Sequence, residues 1–135
     1  MAEPLSVAAS VVGLIALADR VIRVSQYCID TIKDAPSDVR MILGETISLR
    51  AVFESLTDTG SGPATRLLGV DDPIEACRRC LTALEALLPQ RHGSVRHIAI
   101  ADLAWPFKAP KARKILAEIS QHKATLLLAI SRDML

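Results

Sequence analysis

Two cysteines and two histidines are the residues here whose types and spacing could do chemistry. Cys77-x2-Cys80 is followed by eleven residues and then by His92-x4-His97. That order approaches zinc-finger spacing, in which four soft ligands close a tetrahedron around the ion. The surroundings do not suit it. In such fingers the cysteines sit on a hairpin and the histidines on a helix. Here the cysteines fall in a Leu-rich helical segment, and Gly93 lies between the histidines. A redox role for the CxxC pair needs a strand–helix–strand setting, and none is readable. The pattern predicts two helix cysteines, one facing the core, and no metal.

Nothing else in the chain has a catalytic spacing. It holds no glycine-rich phosphate loop, no nucleophile elbow and no clustered histidines and carboxylates. His122 reads as a surface or half-buried histidine. The expectation is a protein that is not an enzyme and needs no cofactor. Nucleic acid is not expected either: net charge is +1, and the basic run at 108–114 has no aromatic partners beyond Trp105 and Phe107. The three cysteines, Cys28, Cys77 and Cys80, make an odd count, and nothing marks secretion. Reduced thiols inside a cell are expected.

The elements that carry these residues are helical. The chain has 135 residues, enough for one domain, and half of them are hydrophobic. Only Tyr27, Phe53, Trp105 and Phe107 are aromatic; the rest of the apolar content is mainly Leu, Ala, Ile and Val. Leu and Ala favour helix, and the apolar runs are too long for single strands. The expected fold is all-α: an antiparallel helical bundle of four main helices plus a short one, with a long central N-terminal helix.

That first helix is expected from about Leu5 to Lys33. Between Glu3 and Asp19 it carries no charge. A signal peptide would need basic residues before the apolar run, and the first basic residue is Arg20. A membrane span needs about 20 apolar residues, whereas the fifteen from Pro4 to Ala18 make a helix about 22 Å long. A helix apolar all round is normally buried among others. The Ala9/Gly13 pair would also permit close helix approach in protein or lipid. Two readings stay open: a central core helix, or a core helix that can also leave the bundle and enter a membrane.

A break at 33–40 leads to a second helix over about 36–57, with Val39, Ile42, Leu43, Ile47, Leu49, Val52, Phe53 and Leu56 as its apolar stripe. Residues 58–71 read as a loop. Asp72-Pro73-Ile74-Glu75 predicts a helix start, with Asp as cap and Pro first; that helix carries Ile74, Cys77, Leu81, Leu84, Leu87 and Leu88 to near Pro89. A short helix over 97–107 is expected to stop before Pro106. A last helix runs from about Pro110 to Met134, with Ile115, Leu116, Ile119, Leu126, Leu127 and Ile130 apolar. Because the pattern is still helical at the end, continuation past Leu135 is expected.

The near-zero net charge hides a split. Residues 1–75 hold eleven acids and six bases; residues 76–135 hold four acids and ten bases. The halves either neutralise each other or leave a basic face for an anionic surface. Trp105-Pro106-Phe107 allows two readings as well, a packed corner anchoring a loop or an interfacial aromatic anchor beside a basic helix.

Three stretches together, MAEPLSVAASVVGLIALADRVI (1–22), IKDAPSDVRMILGETISLRAVFESL (32–56) and LAWPFKAPKARKILAEISQHKATLLLAI (103–130), resemble one family. It is the N-terminal helical domain of fungal NLR-type (STAND) proteins, described as HeLo-like or as the azaphilone pigment cluster protein L N-terminal domain. The resemblance covers essentially the whole chain. It implies a single HeLo-like bundle over residues 1–135 at the front of a longer receptor, ahead of a nucleotide-binding domain. It also implies an effector of regulated cell death that oligomerises and acts at the plasma membrane, cytoplasmic at rest. No catalytic residue carries over. What carries over is the first helix, with Leu5, Val7, Val11, Val12, Gly13, Leu14, Ile15 and Leu17 as insertion candidates. Lys108, Lys111, Arg113 and Lys114 would meet anionic headgroups, and Trp105, Pro106 and Phe107 would anchor the structure. Asp19, Arg20 and Arg23 interrupt the apolar helix early, so an inserted segment would be short. The other function class is a non-lytic interaction module that self-associates or docks a protein partner.

Overall fold

The computed structural model describes the backbone of residues 4–31, 37–58, 71–88 and 95–134, and the side chains of 11–31, 37–57, 73–88 and 108–131. Four helices account for it: α1 (Pro4–Thr31), α2 (Ser37–Asp58), α3 (Asp71–Leu87) and α4 (Val95–Met134). No strand occurs among the described residues. Pro4 takes the first position of α1, where its missing N–H has no intrahelical role. Pro73 falls in the first turn of α3 for the same reason, and that helix opens at Asp71, one residue before the expected cap.

The largest departure from the sequence expectation is α4. The short helix over 97–107 and the last helix form one helix of 40 residues that runs through Pro106 and Pro110. An interior proline removes one hydrogen bond and crowds the carbonyl four residues back, at about 3 kcal/mol or more. Pro106 and Pro110 are four apart, so both lost donors fall on one side of the helix, and the other side continues. Burial of Ala109, Ala112, Ile115 and Leu116 just beyond them offsets the cost.

Each helix buries one stripe. Val11, Leu14, Leu17, Ala18, Val21 and Cys28 face inward from α1, and Val39, Ile42, Leu49, Val52, Phe53 and Leu56 from α2. The stripe of α3 is Ile74, Cys77, Cys80, Leu81, Leu84 and Leu88, and that of α4 continues with Ile119, Leu126 and Ile130. The two expected stripes were each one residue too wide: Ile47 and Leu127 lie on the outside, 50% and 46% exposed.

The helices form a ring in which α1 packs on α2 and α3, and α4 packs on the same two. Polar contacts give the directions. Asp38 meets Arg113 and Glu45 meets Lys123, so α2 and α4 run parallel. Cys80 meets Glu118 and the Leu87 carbonyl meets Lys108, so α3 and α4 run antiparallel. Asp19 with Arg50 joins α1 to α2, and Arg20 with Glu85 joins α1 to α3. α1 and α2 pack closely across a connection of only a few residues, which makes them antiparallel; with the α4 contacts, consecutive helices alternate in direction. The first half of α1 stands at the end of the bundle shared with the start of α3 and the C-terminal part of α4.

The burial pattern makes a paired prediction for urea unfolding. Phe53→Ala should cost about 3–5 kcal/mol, whereas Ile47→Ser should stay within about 0.5 kcal/mol of the parent. Comparable losses for both would mean that α2 is turned the other way.

Candidate functional site

The insertion candidates on α1 do not share one environment. Val11, Leu14 and Leu17 are buried, Ile15 is half-buried, and Val12 and Gly13 are exposed, Val12 by 60%. The side chains of Leu5 and Val7 lie outside the described residues. The first half of α1 is therefore not enclosed on all sides, as its composition led one to expect. Val12, Gly13 and Ala16 form a smooth apolar strip facing water. The reason is geometric: α1 packs closely on two neighbours in the ring, and among the described residues nothing closes its third side. Gly13 is not a close-approach glycine either. A Cβ built there would meet no atom within 4 Å.

The basic candidates divide as well. Lys108 is half-buried and donates to the Leu87 carbonyl at 3.3 Å, capping the C-terminus of α3. Arg113 donates to both carboxylate oxygens of Asp38, at 3.0 and 3.3 Å. The Asp38 side chain is only 9% exposed, so this pair is an internal seam on one side and open on the other. Lys111 and Lys114 are exposed, and no ion pair to either is found among the described residues. Among the described residues of α4 they are the two cations without a partner. The backbone of Trp105, Pro106 and Phe107 lies within α4; their side chains fall outside the described residues.

The charge split is thereby explained in part. Asp38–Arg113 and Glu45–Lys123 each join an acid of the first half to a base of the second. Ser48 also accepts from Lys123 at 3.2 Å. Sequence reading passed over the pairs at Asp19–Arg50 and Arg20–Glu85. Their one signal was the adjacent acid and base that close the uncharged run. Hydrogen bonds to Glu85, Asp19 and Asp38 respectively raise the pKa of Arg20, Arg50 and Arg113, which keeps all three guanidiniums charged.

The cysteine motif lies on α3, with Cys80 against α4. Cys77 and Cys80 are both buried, where one was expected to be. Burial, with Cys80 nearby, pushes the Cys77 thiol up to about 12. Burial and the Glu118 carboxylate push Cys80 up to about 11, and its thiol donates to Glu118 Oε2 at 3.7 Å. Burial also raises the Cys28 thiol. Thiols held in this form are poor nucleophiles at neutral pH. A groove of about 350 Å³ beside Cys80 brings Arg79, Glu118 and His122 to its walls. No cluster suited to a metal ion occurs among the described residues, and His92 and His97 have no described side chains.

Two predictions follow from these environments. Gly13→Ala should raise stability by about 1 kcal/mol, read as a higher urea midpoint, because the methyl enters open space. Stability should also fall as pH rises from about 9 towards 12. The unfolded chain loses its thiol protons near the ordinary value of 9.0, while folded Cys77 and Cys80 hold theirs to about 12 and about 11. Cys77→Ala/Cys80→Ala should flatten that alkaline slope.

A comparison with known families matches residues 2–135 to the family described as pigment biosynthesis cluster protein PigL N-terminal. No curated protein and no solved structure matches the chain. With the match running from the second residue to the last, the chain belongs to the PigL N-terminal family.

Proposed function

We propose that this bundle is the N-terminal effector domain of a fungal NLR-type receptor. It executes regulated cell death by oligomerising and bringing α1 to the plasma membrane. The resemblance to HeLo-like domains suggests the role. The observation that carries it is the first half of α1, uncharged from Pro4 to Ala18 and uncovered along Val12, Gly13 and Ala16. Among the described residues no helix is long and apolar enough to cross a membrane. The contact is therefore interfacial: α1 lies with its apolar side among acyl chains rather than through them. Lys111 and Lys114 add attraction to anionic headgroups of about 1 kcal/mol each near the surface. Leaving the bundle uncovers Val11, Leu14 and Leu17, so lipid and oligomer contacts must offset that exposure.

A second reading has its own support. Met41, Ile47, Leu127 and Leu128 are exposed on α2 and α4, two helices that pack side by side. A non-lytic module that docks a protein would use exposed apolar side chains of this kind.

Flotation with vesicles of phosphatidylserine and phosphatidylcholine separates the two. The parent should float with anionic vesicles only, and lose binding at high salt. Val12→Glu and Lys111→Glu/Lys114→Glu should each keep the parent circular dichroism, because the positions are exposed. Both should weaken vesicle binding by about tenfold or more and reduce killing when expressed in fungal cells. A folded Val12→Glu protein that floats and kills like the parent removes the membrane reading.

A further inference from the structure

We propose that Asp19 and Arg20 form a polar clamp that divides α1 into a half that opens and a half that stays. The two residues are neighbours of opposite charge, and they reach in different directions. Asp19 accepts from Arg50 Nε of α2 at 2.6 Å. Arg20 Nε donates to Glu85 of α3 at 2.9 Å. Arg50 is itself braced by Glu54, one turn further along α2. Arg23 Nε also leans on the Asp19 carbonyl at 3.4 Å. At this one level α1 is gripped by both of its packing neighbours.

On the N-terminal side of the clamp there is no charge to pair as far back as Pro4. Val11, Leu14, Leu17 and Ala18 hold the described part of this half by apolar burial, and Val12, Gly13 and Ala16 on its outer side are exposed. Gly13 weakens the helix in the middle of that half, and no packing contact requires a glycine there. On the C-terminal side, Val21, Ser25 and Cys28 are buried, Ile22, Val24, Tyr27 and Ile29 are half-buried, and Gln26 donates to Asp30 at 2.9 Å on the outside. Opening that begins at the helix N-terminus meets, among the described residues, its first polar cross-links at Asp19 and Arg20. Local opening of this kind occurs in contiguous cooperative units, and the clamp sets the boundary of this one at Ala18.

The clamp deepens the membrane reading and rests on it for its purpose: it limits release to the uncharged half and keeps the rest of α1 in the bundle. Its existence is read without lipid. In residue-resolved hydrogen exchange on the 135-residue chain, amides up to Ala18 should exchange as one block. They should do so about tenfold or more faster than amides 22–28. Arg50→Gln/Glu85→Gln, checked for folding by circular dichroism, should raise the exchange of amides 22–28 about fivefold or more and erase the step. Salt at about 0.5 M should do the same to the parent, because both pairs are open to solvent on at least one side, and should leave the double variant unchanged. The swapped pair Arg20→Glu/Glu85→Arg should keep the step, which separates charge from side-chain packing. A single rate along the whole of α1 in the parent overturns the clamp, and so does a step that persists in the folded double variant. Vesicle binding that fails while the step is present removes the membrane reading alone.

Discussion

The core is closed by aliphatic side chains with almost no aromatic help, and that constraint governs everything else in the structure. Phe53 is the one aromatic side chain among the described buried residues. Small branched side chains fill space only when helices approach closely on several sides. Each helix contributes one narrow stripe, and no stripe can be covered by a single neighbour. Four helices must therefore close the core together, and the ring of α1, α2, α4 and α3 is the arrangement that does so. Removing one helix would open the stripes of its two neighbours.

Polar contacts sit on the seams between those stripes and settle the pairing rather than the stability. Asp19–Arg50, Arg20–Glu85, Asp38–Arg113 and Glu45–Lys123 place at least one ion pair on three of the four interfaces. The fourth carries the Cys80–Glu118 contact and the Lys108 cap. Exposed pairs add little energy. A mismatched ring, however, would leave Asp38 nearly buried beside no cation, and that is costly. Partner choice between otherwise similar apolar stripes follows from this asymmetry.

The same geometry bears on how α1 could serve two environments. Leu14 and Leu17 belong to the core, so any substitution there confounds folding with function. Val12, Gly13 and Ala16 are apolar without being part of the core. They can be altered with little effect on the fold, which makes that strip the informative place to separate the two roles. The thiols stand apart from both: all three are packed and held protonated, and Cys80 lies against Glu118 of α4.

Amphipathic spacing and capping were enough to show the four main helices in their order, two of their starts, near Leu5 and Asp72, to within a residue, and nearly all of the buried stripe residues. These are local properties: period, capping and the absence of charge over Pro4 to Ala18 act over a few turns. Tertiary structure decided the rest. Pro106 and Pro110 look like helix ends locally, yet packing beyond them carries α4 through both. Ile47 and Leu127 fit their stripes by spacing, but the ring geometry leaves them outside. Val12 and Gly13 look like core in an uncharged helix, and they face water because, among the described elements, only α2 and α3 pack closely on α1. Whether Arg113 is free or held depends on Asp38, 75 residues away. A pairwise contact across that separation exists only once the helices have been placed, so no local pattern could have encoded it visibly.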